Sequence, residues 1–130
     1  MITDRVGDFI VRLQNAAMAK KTTVSVPYSA HLEEIAKKLQ SLGYIATIEK
    51  VSKPKKTLDI TLVADARGNA RIKGVKRISK PGRRLYVSTR EAHGVKNGSG
   101  ARILSTPRGI LSDTEARKVR MGGENLFEIW

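Results

Sequence analysis

Apolar residues recur at helical spacing twice within the first 42 residues, and this repeated period constrains the fold more than any other feature of the chain. Val6, Phe9, Ile10, Leu13 and Ala17 line one side of a helix expected over residues 3–18, with Thr3 placed to cap it. Asp4, Arg5, Asp8, Arg12 and Asn15 fall on the opposite side. Leu32, Ile35, Ala36, Leu39 and Leu42 form a second stripe, opened by Ser29 and closed by Gly43. Glu33 and Glu34 precede Lys37 and Lys38 by four residues, the favourable order for a helical ion pair. Both stripes read as core rather than binding faces. Each buries its apolar side only against another element, and the alternating stretches around them supply one. TTVSVP precedes the second helix, and YIATIEKV and TLDITLVA follow it, joined by the basic turn SKPKK.

The expected architecture is α+β: an amino-terminal α-β-α-β-β domain over residues 1–65, then a mainly β carboxyl-terminal domain with a short helix over 66–130. DARGNA, with Gly68 and Asn69, marks the boundary. In the second half RIKGVKRIS and RRLYVS read as strands on either side of KPGR, where Pro81 and Gly82 suit a type II turn. EAHGVKNGSG is a glycine-rich connection. ARILST and GIL flank Pro107, and SDTE opens the short helix, with Ser112 and Glu115 spaced as a capping box. Gly122 and Gly123 are expected to end that helix, and ENLFEIW closes the chain as a strand.

Charge separates the two halves. The chain has 25 Lys+Arg against 12 Asp+Glu, a net charge of +13. Residues 1–65 hold 10 basic and 7 acidic residues, leaving 15 and 5 for residues 66–130, so the net charges are +3 and +10. From Ala66 to Arg90 nine basic residues occur without one carboxylate. Such a balance points to a polyanion, most often nucleic acid, and says nothing about fold.

Several chemistries lose their means. Cysteine is absent, which removes disulfides, thiolate zinc sites and cysteine nucleophiles and accords with a reducing cytoplasm. No apolar run approaches the roughly 18 residues of a membrane span, and MITDRVGDF has acids where a signal peptide has basic and apolar residues. A soluble, intracellular protein without a membrane partner is expected. His31 and His93 are the two histidines, both read as surface residues, and no metal site, cofactor or catalytic set is expected. The glycines match neither a Walker loop nor a dinucleotide fingerprint.

What remains is concentrated in STPRGILSDTEARKVRMGGE, residues 105–124. Ser112 reads as a helix cap. Ser105 and Thr106 beside Pro107 suit turn chemistry and RNA contact equally, and Tyr86 in a strand reads by default as half-buried packing. Glu124 is the carboxylate out of place beside a polyanion, suited to accept from base amino groups or to orient a basic side chain. A DNA-binding regulator using the helix around Thr114–Arg120 is the alternative reading, and a small hydrolase a third.

ILSTPRGILSDTEARKVRMGGENLFEIW resembles the carboxyl-terminal signature of the bacterial-type eighth-protein family of the small ribosomal subunit. DRVGDFIVRLQNA, VPYS with its helix and GYI, and ISKPGRRLYV extend the resemblance over nearly the whole chain, with residues 46–75 least distinctive. The resemblance implies a two-domain α+β protein, located on the cytoplasmic ribosome, that binds small-subunit ribosomal RNA directly and early in assembly. Its partners would be that RNA, neighbouring small-subunit ribosomal proteins and the messenger RNA of its own operon, whose translation it would repress. On the same resemblance the carboxyl-terminal domain reads an irregular RNA helix through Ser105, Thr106, Gly122, Gly123 and Glu124, with Tyr86 on that surface. Arg12 and Asn15 would touch further RNA, and Lys76, Arg83 and Arg84 in the basic stretch would hold flanking phosphates. Family members often carry serine where this chain has Pro107 and cysteine where it has Phe127.

Overall fold

The structure is a computed structural model that describes residues 4–80, 82–87 and 100–130. The chain forms two compact units, one of residues Asp8–Lys73 and one that joins Met1–Gly7 to Gly74–Trp130. Among the described residues no helix is long and apolar enough to cross a membrane.

In the Asp8–Lys73 unit, helix α1 (Arg5–Met18, its first turn assigned to the other unit) and helix α2 (Ala30–Ser41) combine with strands β1 (Thr23–Pro27), β2 (Ile45–Val51) and β3 (Thr57–Leu62). The sheet is antiparallel in the order β1-β3-β2. Alternation sets its faces: Val24 opposes Ile60 and Val26 opposes Leu58, all buried, while Ser25 opposes Asp59 on the outer face. Phe9, Ile10 and Leu13 of α1 and Leu32, Ile35, Ala36 and Leu39 of α2 are buried, as the helical spacing requires. Burying each large side chain is worth about 1.5–3 kcal/mol, so these stripes stabilise the unit together with the buried residues of the sheet.

The helix ends refine the sequence reading. Thr3 lies outside the described residues, and Asp4 Oδ1 accepts the Gly7 N–H at 2.9 Å in the first turn of α1. Ser29 is the N-cap of α2 by position, but its side chain makes no capping hydrogen bond. At the other end Gly43 takes φ 90°, its N–H donates to Gln40 O at 3.1 Å, and the Tyr44 N–H donates to Leu39 O at 3.0 Å. This paired reversal satisfies the last carbonyls of α2, and glycine enters the left-handed region without a Cβ penalty.

Residues 66–73 stay with the first unit rather than opening the second. Asp65 Oδ1 accepts the N–H groups of Arg67 and Asn69, each at 2.9 Å, which folds the chain back, and the Arg71 N–H reaches Val63 O at 2.9 Å. The Arg71 guanidinium then donates to Leu42 O at 3.0 Å and lies 4.7 Å from the Tyr44 ring centre. It satisfies a carbonyl at the negative end of α2.

The second unit holds strands β4 (Val75–Arg77), β5 (Tyr86–Val87), β6 (Ala101–Thr106), β7 (Gly109–Ser112) and β8 (Gly123–Ile129), with helix α3 (Asp113–Val119). The strand that ends the chain is central: β8 pairs β6 on one side and both β4 and β5 on the other, and β7 flanks β6. Its buried residues include Ile103, Leu104, Leu126, Phe127 and Ile129. Gly74 and Trp130 exchange backbone hydrogen bonds of 3.1 Å in both directions beyond this ladder, and the indole covers Gly74 where a Cβ would stand.

RIKGVKRIS and RRLYVS do hold strands, β4 and β5, but the ladder partner of both is β8. β4 and β5 both run antiparallel to β8, at Phe127–Ile129 and Gly123–Glu124 respectively, as one edge interrupted by a loop. Ser79, fully buried, closes the base of that loop: its hydroxyl donates to Leu85 O at 3.0 Å and accepts the Leu85 N–H at 2.8 Å. Within it Lys80 and Arg83 exchange backbone hydrogen bonds of 2.9 Å, while the turn type depends on Pro81, outside the described residues.

The capping box of α3 forms as spaced. Ser112 Oγ accepts the Glu115 N–H at 3.3 Å and Glu115 Oε1 accepts the Ser112 N–H at 3.2 Å. Its other end differs from expectation: Arg120, at φ 55° and ψ 48°, reverses the chain. Gly122 and Gly123 come after that reversal, and Gly123 begins β8.

Candidate nucleic-acid interface

Three of the expected residues form one row across three strands. Glu124 on β8 stands opposite Tyr86 on β5 and Ser105 on β6, and directly opposed residues of an antiparallel pair share a face. The neighbouring pairs on β6 and β8 are Ile103 with Phe127 and then Leu104 with Asn125, so β8 carries one extra residue at Leu126. This bulge matters to the site, because it changes which residues share a face. Glu124 and Glu128, four apart, would face alike on a regular strand; here they lie on opposite faces. The row therefore continues the face of Ile103 and Phe127, where the buried apolar surface gives way to polar groups.

Tyr86 departs from the packing role expected of a strand tyrosine. It is 69% exposed and presents an aromatic surface at the edge of the sheet. Ser105 and Thr106 are half-buried. The Ser105 hydroxyl makes no hydrogen bond among the described residues, whereas Thr106 Oγ1 donates to Gly109 O at 2.8 Å and accepts the Arg108 N–H at 3.2 Å. Thr106 therefore serves the turn. Pro107 and Arg108 span it at the exposed tip, and Gly109, at φ 105°, supplies the left-handed residue that rejoins β7.

Gly123 makes the row compact. A Cβ built on it would overlap the Ser105 carbonyl oxygen and come within 2.9 Å of Thr106 Cγ2. Only glycine permits this approach between β8 and the end of β6. Gly122 precedes it, half-buried.

The Glu124 carboxylate is held by one arginine and lies near a second. Arg84 Nη1 donates to Glu124 Oε2 at 3.1 Å. Arg77 Nη2 donates to Asp4 Oδ1 at 2.7 Å, and its guanidinium is largely enclosed. Burial pushes the Arg77 guanidinium below its usual pKa; Asp4 and, more weakly, Glu124 oppose the shift, and Arg84 adds to it. Glu124 thus orients Arg84 and offsets part of the positive field around Arg77, while its other oxygen can accept from a ligand.

The remaining residues fall elsewhere. Arg83 is exposed in the loop between β4 and β5, beside Arg84. Lys76 is exposed on β4 opposite Glu128, on the other face from the Tyr86–Glu124–Ser105 row. Arg12 and Asn15 belong to the other unit, on the exposed side of α1; Arg12 pairs with Asp8 at 3.1 Å and donates to Ser25 O at 2.9 Å. Ser79 escaped the sequence reading, and no local signal distinguishes a serine that clamps a loop from an exposed one. His31 is exposed in the first turn of α2, and His93 lies outside the described residues. The helix of the DNA-reading alternative is present as α3, but it is 7 residues long and follows β7 directly, with no helix before it at turn spacing among the described residues.

The family described as Ribosomal protein S8 matches residues 4–130. The small ribosomal subunit protein uS8 of Mycoplasmopsis synoviae (strain 53) is 42% identical over 131 residues, covering 99% of this chain and 98% of the relative. Its counterparts in Thermus aquaticus and Deinococcus deserti are 41% and 38% identical, each aligned over the whole of both chains. The chain belongs to the ribosomal protein S8 family.

Proposed function

We propose that this protein binds small-subunit ribosomal RNA directly, reading an irregular helix with the Tyr86–Glu124–Ser105 row and Gly122–Gly123 beneath it. Family membership makes it a structural protein of the small ribosomal subunit, acting in translation and not as an enzyme. Neighbouring proteins of that subunit are partners in the same sense. The observation that carries the RNA reading is the row itself: an exposed aromatic ring, a hydroxyl without a partner among the described residues and an arginine-oriented carboxylate on one face. Regular A-form RNA hides its base edges in a deep, narrow groove, so specific reading needs unpaired or distorted bases to stack and to hydrogen-bond. Tyr86 suits stacking, Ser105 donates or accepts, and Glu124 accepts from a base amino group. Arg83 and Arg84 supply phosphate contacts beside the row, and Lys76 a further one on the other face of the sheet. Early binding during assembly and repression of its own operon belong to the same proposal, the messenger RNA presenting the fold of the ribosomal site.

The test is footprinting of the full chain on small-subunit ribosomal RNA, with binding to a scrambled RNA as comparison. Protection of one irregular helix, lost with Tyr86→Ala and Ser105→Ala together, is the expected result. Equal affinity for every RNA overturns the reading.

A further inference from the structure

The Asp8–Lys73 unit carries a second basic feature, in the hairpin that joins β2 to β3. Lys50, Lys53, Lys55 and Lys56 are all exposed there, within a stretch that contains no carboxylate. A lysine run of this kind is ordinarily a solvated surface. Here two of the four are held in place. The Lys50 ammonium lies 4.5 Å and the Lys56 ammonium 4.3 Å from the centre of the Tyr28 ring. Tyr28 is half-buried at the end of β1, and its N–H donates to Lys56 O at 3.1 Å, so the ring is fixed to the hairpin it organises.

This arrangement brings like charges together. Two ammonium groups on one ring stand no more than about 9 Å apart, and the ring's negative faces offset part of their repulsion. Among the described residues none of the four lysines forms an ion pair. Glu49 and Asp59 oppose one another across β2 and β3, whereas Lys50 opposes Leu58, and alternation puts the two pairs on opposite faces of the sheet. Lys50 thus lies on the other face of the sheet from Glu49 and Asp59.

We infer that Tyr28, Lys50, Lys53, Lys55 and Lys56 form a second RNA contact, which grips the phosphate backbone without reading sequence. The inference rests on the RNA-binding reading above and adds a separate surface to it. Lysine offers a point charge without the planar fork that specifies geometry, so it fits phosphate neutralisation rather than base recognition. Holding long side chains before the ligand arrives lowers the ordering cost of binding. Tyr28 is therefore a positioning residue, and the four lysines make the contact.

The experiment measures affinity of the full chain for a small-subunit ribosomal RNA fragment and for a scrambled RNA, each across a salt series. Lys53→Ala with Lys55→Ala leaves the ring and its two ammonium groups intact. This double variant is expected to lower the slope of log K against log salt by about 1 to 2, as loss of that number of phosphate contacts requires. Affinity for both RNAs should fall together, leaving their ratio unchanged. Tyr28→Leu keeps every charge but releases Lys50 and Lys56, and should weaken binding about three- to tenfold, while Tyr28→Phe retains the ring and binds like the parent. A parental slope in the lysine variant overturns the inference even if Tyr28→Leu fails to fold. Equal weakening by Phe and Leu removes the positioning role of the ring. If the unaltered chain does not prefer ribosomal RNA, the proposed function fails; if it does and the lysine variant behaves as parent, only this second contact fails.

Discussion

Gly123 lies so close to the Ser105 carbonyl oxygen that no side chain fits between them. That approach joins the end of β6 to the start of β8 and sets Ser105 opposite Glu124. Gly123→Ala forces the two strands apart at the Ser105 carbonyl and displaces the Thr106 methyl, and overpacking of this kind costs about 1–3 kcal/mol. Denaturant unfolding should show the loss, and RNA affinity should fall at temperatures where the variant is still folded. Parental stability together with parental affinity would sink the idea that this contact holds the row.

Ser105 and Lys76 separate recognition from attraction. Ser105→Ala removes a hydroxyl with no partner among the described residues, so folding should change little. Binding to ribosomal RNA should weaken by roughly 1–3 kcal/mol where the RNA group it served is left buried and unpaired. Lys76→Ala, from the other face, should weaken cognate and scrambled RNA alike. Paired affinity measurements on both RNAs decide it, and a Ser105→Ala loss shared equally by the two would show no specificity in this hydroxyl.

Ser112 belongs to the support of the site. Ser112→Ala removes the hydroxyl arm of the capping box, leaving the Ser112 N–H on Glu115 Oε1, and should cost about 1 kcal/mol of stability. The ratio of affinities for cognate and scrambled RNA should stay at its parental value. A changed ratio in a fully folded variant would make Ser112 part of the reading surface.

Asp65 gives the chain an acid-sensitive turn. The backbone N–H of Asn69, then that of Arg67 and the Asn69 amide, hold its carboxyl below the ordinary carboxylate pKa. A folded pKa below the unfolded one contributes stability above the unfolded value, and that contribution is lost as pH falls through the folded value. An NMR titration should place the Asp65 midpoint below that of an unstructured aspartate. A midpoint at the ordinary value would mean that the turn does not hold its carboxylate in solution.

Periodicity along the chain was enough to establish both long helices, the alternating strands, the capping box and the α+β class. Each depends on residues within a turn or two of one another, or on burial of one face, and these are local properties. Charge counting likewise located the basic stretch, and the ordered terminal motif carried the family. Pairing was decided only in the folded molecule. RIKGVKRIS and RRLYVS look like a hairpin because they flank a Pro-Gly turn, yet β8, far along the chain, offers each a ladder and takes both. Residues 66–73 look like the start of a second domain, yet Arg71 finds the end of α2 and the Tyr44 ring. The bulge at Leu126 turns Glu124 toward Tyr86 and Ser105 and Glu128 away, an outcome set by strand register rather than by residue type. Residue types and their spacing determined the elements and the chemistry available; long-range pairing decided which of those groups share a surface, because register is a property of two strands together.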